Sequence, residues 1–380
     1  MGQCQCFPCN PVSNPKFMGT PGPLPKPWRE MLNGGQIMTA LLLCSSFSEK
    51  YKGRDMKLGA LASIKLPTTL TEMRVTSPVL RWRVGSKETA VLIWVGDSSQ
   101  GDKVVYAAFN PLRRKQQFLQ LLAARGNLVD ATFVQEGEGD ERESYSVRLF
   151  SYIHKKLDNL WRKYKFEQVM LEVVEAYPSH KIVFCGLSHG AALAQAALFR
   201  LALVRPNIQV QAVTWNAYKW TDAKGVNLFD RKIGNRLLTF VLSRKQYWDS
   251  ISGAPPGLAS MNEIIFLDAE TGETRPSLYV PDSKISPESV WRMYDLHFAK
   301  TALTATRLLM TTSLGQPSLL ERMASMKWPI ERRASLSILQ LPFDQNHVLH
   351  ALQEQEEEQK QLDLDSSERT EEMDSSDDGF

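Results

Sequence analysis

Apolar residues gather in short runs along the chain, separated by polar stretches of very different lengths. Runs of about four to eight residues rich in apolar side chains are typical of buried strands. They predict strands over 79–84, 89–95, 182–185, 210–215 and 237–242. A further pair of runs predicts a hairpin over 263–280, because a polar segment with glycine, Glu270–Gly272, lies between them.

Longer stretches carry apolar residues at helical spacing. They predict helices over Met31–Lys50, Ser144–Ala176 and Gly190–Val204. Pro178 and Pro206 follow the second and third helices, since proline cannot continue a helix. Ser286-Pro287-Glu288 predicts the start of another. Strands that alternate with helices predict an α/β fold, with a mainly parallel central sheet flanked by helices.

The first 30 residues differ from the rest in composition. Seven prolines occur by position 27, which predicts an extended leader. Gly2 follows the initiator methionine, as N-myristoylation requires, and Cys4 and Cys6 are predicted S-palmitoylation sites. Cys6 stands where serine or threonine is usual, so the match is imperfect. Two lipids hold a protein at a membrane, whereas one binds only marginally. A cysteine-rich leader that binds metal weakly is the alternative.

Charge is unevenly distributed between the body of the chain and its C-terminal end. Residues 351–380 hold 12 acidic and 2 basic residues, whereas residues 1–350 hold 43 basic and 30 acidic ones. This composition predicts a disordered acidic tail and a basic body attracted to an anionic membrane surface. A solubilising tail on a mildly basic domain is the simpler alternative. Arg332-Arg333-Ala334-Ser335 predicts a phosphorylation site at Ser335.

Several classes of protein are disfavoured by what the sequence lacks. It contains no run of 18 apolar residues and no apolar signal-peptide core, so we expect no transmembrane helix and a peripheral, lipid-anchored position on the cytoplasmic face of a membrane. The cysteines do not form a disulfide framework, which favours a reducing compartment. Without zinc-ligand spacing, a P-loop or a dinucleotide motif, we expect no metal, no cofactor and no nucleic acid. The oligomeric state is left open.

The segment Lys181–Phe199, KIVFCGLSHGAALAQAALF, carries the clearest chemical signal. Gly186, Ser188 and Gly190 form a GxSxG pattern between a predicted strand and a predicted helix. A sharp strand–turn–helix connection exposes the serine hydroxyl above the sheet, and the glycines permit the turn and the close packing of the helix. The pattern therefore predicts a nucleophilic serine at Ser188.

A serine nucleophile needs a histidine that accepts its proton and an acid that orients the histidine. In chains with this turn the order is serine, acid, histidine. His347 and His350 border the acidic tail, which leaves His297. Asp249 follows the predicted strand 237–242, and α/β sheets place their sites at the carboxyl ends of strands. Alternative acids are Asp222, Asp230, Asp268 and Asp295.

Several segments together resemble the class 3, or fungal-lipase-like, lipases of the α/β-hydrolase fold. GLSHGAALA resembles the GHSLGGALA of that family, and DSISGAPP, which begins at Asp249, resembles its catalytic-aspartate loop. The resemblance covers roughly 89–301. The remaining segments that carry it are VTWNA at 213–217, SPESV at 286–290 with DLH at 295–297, and TAVLIWVG at 89–96.

The resemblance implies a role for each site residue. Ser188 would be the nucleophile, His297 the general base and Asp249 the residue that orients it. The oxyanion hole would combine the backbone N–H of His189 with a donor near Asp97 and Ser98. The side chain of His189 is expected to be partly buried at the pocket mouth, with a second base or a metal ligand as alternatives.

The expected activity is therefore that of a lipase-type serine hydrolase, which cleaves ester bonds of an acylglycerol or phospholipid at a membrane surface. The Asp97 carboxylate would repel a developing oxyanion, unless Ser98 takes its place or the side chain turns away. A catalytically inactive lipase-like scaffold that binds lipid or a partner protein is the alternative.

The sequence divides into four predicted segments. They are an acylated proline-rich leader at 1–30, the α/β-hydrolase domain at 31–315, a helical and basic extension at 316–350, and the acidic tail at 351–380.

Overall fold

The computed structural model describes only part of the chain. The described residues are 32, 34–45, 47, 78–86, 89–97, 103–111, 127–135, 143–244, 247–261, 264–277, 279–282, 296–297 and 299–313. All of them fall in Met1–Leu320, the first of the two compact units of the chain. The predicted leader, basic extension and acidic tail lie outside the described residues, and so do Gly2, Cys4, Cys6 and Ser335.

Nine of the described strands form one mixed sheet. Its strands, in order of adjacency, are β1 (Val79–Gly85), β2 (Ala90–Asp97), β3 (Lys103–Phe109), β6 (Lys181–Leu187), β7 (Val210–Trp215), β8 (Leu237–Arg244), β10 (Ile264–Asp268) and β11 (Thr274–Ser277), with β9 (Tyr247–Trp248) beside β8. The central strands β3, β6, β7, β8 and β10 are parallel, whereas β1 with β2, β2 with β3, β8 with β9 and β10 with β11 are antiparallel. The predicted mainly parallel sheet is confirmed.

Helices cover both faces of this sheet. Helices α1 (Gly34–Ser45) and α6 (Ala299–Ser313) contribute to the core on one face. The core on the other face includes side chains of α2 (Ser151–Asp158), α3 (Phe166–Ala176), α4 (His189–Val204) and α5 (Ala223–Ile233). Strand β6 shows why the layers form. Its residues Ile182 and Phe184 face one core and Val183 and Cys185 the other, so a strand covered on both sides is apolar throughout.

Helix α4 is enclosed on nearly all sides, and this explains its composition. Of its 16 residues, only Arg200 is not buried. A helix that is apolar all round belongs in a core, and its many alanines allow close approach to the sheet. The helix was predicted at 190–204 and begins one residue earlier.

The single helix predicted over Ser144–Ala176 is wrong. The segment holds strand β5 (Ser144–Phe150), which pairs with β4 (Leu128–Val134), followed by α2, a π-helical turn at Asn159–Lys163, and α3. Strand β5 alternates exposed and buried residues, with Tyr145, Val147 and Leu149 inside, which is the strand period of two. The residues after Phe150 have helical spacing, so the short alternation before them was included in the same predicted helix.

Other predicted elements have somewhat different bounds. The helix predicted at 31–50 is described over Gly34–Ser45, and the hairpin predicted at 263–280 consists of β10 and β11. Strand β3 was not predicted. The helix predicted to start at Ser286 lies outside the described residues.

Candidate active site

Ser188 occupies a sharp turn between β6 and α4. Its backbone has φ 57° and ψ −120°, a conformation that costs a residue with a side chain about 1–3 kcal/mol. The Ser188 N–H donates to the carbonyl of Trp215 at 2.9 Å, which ties the turn to the neighbouring strand β7. The predicted strand–turn–helix arrangement is therefore present, with the serine at its apex.

Packing requires the two glycines that flank the turn. A Cβ on Gly186 would lie 2.2 Å from the carbonyl oxygen of Gly190, and a Cβ on Gly190 would lie 2.3 Å from that of Phe109. Both contacts involve backbone, which cannot move aside without distorting the sheet. The start of α4 thus packs against the end of β3, next to the serine.

The structure brings Ser188, His297 and Asp249 together in one hydrogen-bonded chain. His297 Nε2 lies 2.6 Å from Ser188 Oγ, and His297 Nδ1 lies 3.1 Å from each carboxylate oxygen of Asp249. Asp249 is fully buried, whereas 11% of the His297 side chain is exposed. In this geometry the imidazole can accept a proton from the hydroxyl on one side and donate to the carboxylate on the other.

Asp249 is held from two directions. Its N–H donates to the carbonyl of Leu242 at 2.9 Å, which fixes the residue to the end of β8. The Ser252 hydroxyl donates to Asp249 Oδ2 at 2.8 Å. Sequence reasoning missed Ser252, because a serine three residues after an aspartate carries no signal of its own.

The other predicted acids are engaged elsewhere or lie outside the described residues. Asp222 caps the start of α5 by accepting the N–H of Gly225, and Asp230 lies within that helix. Asp268 accepts two N–H groups in the turn of the β10–β11 hairpin. Asp295 is outside the described residues.

The loop that follows Asp249 is fastened by a buried lysine. The Lys219 N–H donates to the carbonyl of Ala254 at 2.8 Å, and its ammonium group pairs with Asp282. Asp282 also accepts the Gly257 N–H at 3.1 Å. Burial raises the pKa of Asp282, but the hydrogen bonds from Lys219 and Gly257 outweigh it and bring this pKa below its usual value.

The side chain of His189 is fully buried, not partly exposed at a pocket mouth as predicted. Its Nδ1 is hydrogen-bonded to the Tyr218 hydroxyl at 2.8 Å, and its ring packs against the rings of Tyr152 and Tyr218. Burial, with a smaller contribution from the charge of Lys156, lowers the pKa of His189 to about 3. The imidazole therefore stays neutral at physiological pH.

The prediction that Asp97 and Ser98 contribute to an oxyanion hole is wrong for Asp97. Strand β2 runs antiparallel to β3, and Asp97 pairs with Lys103 at the start of β3. In the parallel pair β3–β6, Val104 is opposite Lys181, seven residues before Ser188. Strands rise about 3.3 Å per residue, so the backbone of Asp97 lies roughly 20 Å from Ser188. It is near the amino-terminal ends of the parallel strands β3 and β6. Ser98 lies outside the described residues.

Strand β3, rather than β2, ends beside the serine turn. Its last residue, Phe109, is opposite Gly186. Asn110 follows, buried, and its Oδ1 accepts the Ala90 N–H at 3.0 Å. The apolar run KVVYAAF could have predicted strand β3. Such a run does not show whether the strand is parallel or antiparallel to its neighbours.

Comparison with known proteins bears on the family and the fold. Residues 98–244 match the family model described as Lipase (class 3). We call these residues the class 3 lipase region after this match. This class 3 lipase region contains Ser188, whereas Asp249 and His297 follow it in the chain. A search of curated protein sequences finds no match.

Solved lipase structures show that the fold extends beyond the class 3 lipase region. The Lip2 lipase from Yarrowia lipolytica is 11% identical, with a TM-score of 0.52 over 73% of this chain and 95% of that one. A structure described as a fungal lipase is 12% identical, with a TM-score of 0.50 over 77% of this chain and 100% of that one. The chain has the α/β-hydrolase fold, as the sequence predicted.

The described residues hold neither a membrane-spanning helix nor a metal-binding cluster. Every helix in the described ranges is too short or too polar to cross a bilayer. In the same ranges, no three or more His, Cys, Asp or Glu side chains come together in a way that could hold an ion.

Proposed function

We propose that this protein is a serine hydrolase that cleaves ester bonds of a lipid substrate, an acylglycerol or a phospholipid. The observation that carries the proposal is the hydrogen-bonded chain from Ser188 Oγ through His297 to Asp249. Three residues from distant parts of the chain meet at hydrogen-bond distance in the order that acyl transfer requires. The class 3 lipase region around Ser188 supports the same conclusion.

The proposed reaction follows from these contacts. Ser188 Oγ attacks the ester carbonyl as its proton passes to His297 Nε2, and Asp249 stabilises the imidazolium that forms. His297 then gives the proton to the departing alcohol, which leaves an acyl group on Ser188. A water molecule, deprotonated by His297, attacks the acyl carbonyl. The bond between the acyl carbon and Ser188 Oγ then breaks, His297 returns the proton to Ser188 Oγ, and the fatty acid is released.

The negative charge of the tetrahedral intermediate faces the start of α4. His189 is the first residue of this helix, and N–H groups in the first turn lack carbonyl partners one turn earlier. Its backbone N–H supplies one donor for the oxyanion, and the positive end of the helix dipole adds to the stabilisation. The identity of the side chain at 189 is unimportant for this backbone role.

We also propose that the enzyme acts at an anionic membrane surface. A basic body and an N-terminus with Gly2, Cys4 and Cys6 support attachment through two lipids and charge. Gly2→Ala should move the protein from the membrane fraction to the cytosol. Retention of the Gly2→Ala variant at the membrane would show that another surface carries the attachment.

Hydrolysis of a substrate panel tests the proposed chemistry. Purified protein is offered acylglycerols, phospholipids, thioesters and peptides, and release of acid is followed for wild type and Ser188→Ala. We expect release from one of the two lipid classes and a loss of at least about 1,000-fold in Ser188→Ala. Release from thioesters or peptides alone would redirect the substrate assignment, and no release would favour an inactive scaffold that binds lipid or a partner protein.

A further inference from the structure

One dipeptide at the carboxyl end of β7, Trp215–Asn216, is linked to the backbone beside each proposed catalytic residue. The carbonyl of Trp215 accepts the N–H of Ser188 at 2.9 Å. Asn216 Nδ2 donates to the carbonyl of Leu296, the residue before His297, at 3.0 Å. These contacts join the serine turn and the histidine segment to one point on the sheet.

The oxygen of the Asn216 amide is linked to Asp249 through the backbone of Leu242. Asn216 Oδ1 accepts the Leu242 N–H at 2.8 Å, and the carbonyl of Leu242 accepts the N–H of Asp249 at 2.9 Å. The two partners fix the orientation of the amide, because Leu242 offers a donor and Leu296 an acceptor. An asparagine side chain presents both functions in one rigid plane.

Asn216 is also buried and conformationally unusual. It is fully enclosed, its φ is 52°, and its own N–H donates to the carbonyl of Phe240 at 2.8 Å. A residue other than glycine rarely adopts positive φ, and such residues cluster at functional sites. Asparagine is among the few that tolerate this region, so backbone and side chain both select it.

We propose that Asn216 is a positioning residue, which sets the place of His297 relative to Ser188 and Asp249. This inference rests on the proposed serine-hydrolase function. The amide of Asn216 binds the backbone of Leu296, the residue before His297, directly to the sheet. The indole Nε1 of Trp215 adds a second tie, to Thr306 Oγ1 on α6 at 3.2 Å.

Loss of the amide should slow the chemical step more than it weakens substrate binding. A shift of about 1 Å in a catalytic group costs about 100-fold in rate. Asn216→Gly keeps the positive φ accessible and removes both side-chain hydrogen bonds. We expect kcat to fall about 100-fold and KM to change less than about threefold, with phosphonylation by a fluorophosphonate slowed in parallel.

Thr239→Val is the matched control. The Thr239 hydroxyl is buried on β8 and is hydrogen-bonded to Gln195 and Thr214 at 3.1 Å each, without contact to the histidine segment. Its removal also deletes two buried hydrogen bonds. We expect a similar fall in melting temperature, with kcat within about threefold of wild type.

Asn216→Asp gives a readout that a purely structural role would not change. Aspartate keeps the acceptor for Leu242 and tolerates positive φ, and its carboxyl, when protonated, donates to the carbonyl of Leu296 in place of Nδ2. Burial and this hydrogen bond raise the pKa of the new carboxyl. Its ionisation at higher pH removes the donor, so kcat/KM should fall along an alkaline limb that wild type lacks. The same profile in Thr239→Val should stay where it is in wild type.

The outcomes separate the two proposals. An active wild type whose Asn216→Gly variant matches Thr239→Val in kcat, or whose Asn216→Asp variant keeps the wild-type pH profile, overturns the positioning role and leaves the hydrolase function intact. A wild type that neither hydrolyses esters nor reacts with fluorophosphonate overturns both. If Asn216→Gly does not fold, the pH profile of Asn216→Asp decides alone.

Discussion

Positive φ angles mark the residues on which the site depends. Among the described residues, Lys165, Ser188 and Asn216 are the non-glycine residues with positive φ, and two of these three belong to the site. Each costs about 1–3 kcal/mol, which the surrounding hydrogen bonds must offset. At Ser188 the strain exposes the hydroxyl, and at Asn216 it aims the amide between β8 and the histidine segment.

The burial of His189 leads to a prediction of how the free energy of unfolding changes with pH. Its pKa is about 3 in the folded protein, below the ordinary value of 6.5, because the imidazole is buried. Between these values the unfolded chain binds a proton that the folded protein does not. The contribution of His189 to stability is therefore complete above about pH 6.5 and is lost as the pH falls, by up to about 1.4 kcal/mol per unit.

Urea unfolding at pH 7 and pH 5 measures this loss in wild type and in His189→Asn, which keeps a hydrogen-bonding group for Tyr218 but does not titrate. We expect the free energy of unfolding of wild type to fall by about 2 kcal/mol more than that of the variant between the two pH values. An equal fall in both proteins would mean that the folded state protonates His189 readily.

At the scale of elements, the junction of β3, β6 and α4 determines where the serine lies. The buried, alanine-rich α4 approaches the sheet so closely that a single methyl group at its first turn would meet backbone. The β7 and β8 ends then carry Asn216 and, just beyond, Asp249. Residues from distant parts of the chain therefore lie close together at the carboxyl ends of adjacent parallel strands.

Gly190→Ala tests the close packing at this junction. The new Cβ would lie 2.3 Å from the carbonyl oxygen of Phe109, so we expect a loss of at least about 3 kcal/mol in the free energy of unfolding and loss of ester hydrolysis. Gly257→Ala is the control, because open space surrounds its Cβ and only its φ of 82° disfavours alanine. The control should lose about 1 kcal/mol. Equal losses in the two variants would show that α4 and β3 can separate at little cost.

For the whole molecule, the direction of each strand decides which loops can take part in chemistry. Strands β3, β6, β7 and β8 point the same way and end around Ser188, whereas β2 points away from it. The backbone of Asp97, whose carboxylate was expected from the sequence to hinder catalysis, lies at the opposite end of the strands from Ser188. The position of Asp97 therefore gives no argument against catalysis at Ser188.

Asp97→Asn checks that topology. Because Asp97 lies roughly 20 Å from Ser188 across the length of β6, we expect kcat/KM for an ester substrate to stay within about twofold of wild type. A rise of tenfold or more would mean that the carboxylate does lie close to the oxyanion, and that the strand order around β2 is wrong.

Much of the fold and the site could be predicted from the sequence. Strands β1, β2, β6, β7 and β8, helix α4 and the serine turn followed from local patterns, and chain order favoured Asp249 and His297, whereas β3, β4 and β5 were not predicted. Strand direction is different, because TAVLIWV and KVVYAAF are equally apolar and only pairing reveals which one ends near Ser188. The contact of Asn216 could not be predicted from the sequence either, because its partner Leu296 is 80 residues away and the hydrogen bond is to backbone.

Covalent labelling of the folded protein by a fluorophosphonate, followed by mass mapping of the modified peptide, tests whether Ser188 is an activated nucleophile. Ser188 Oγ should displace fluoride from phosphorus and carry the phosphonyl group, with one adduct per chain. Ser188→Ala should not react, and His297→Ala should react far more slowly. A wild type that remains unlabelled, or an adduct that persists in Ser188→Ala, would mean that Ser188 is not the nucleophile of a serine hydrolase.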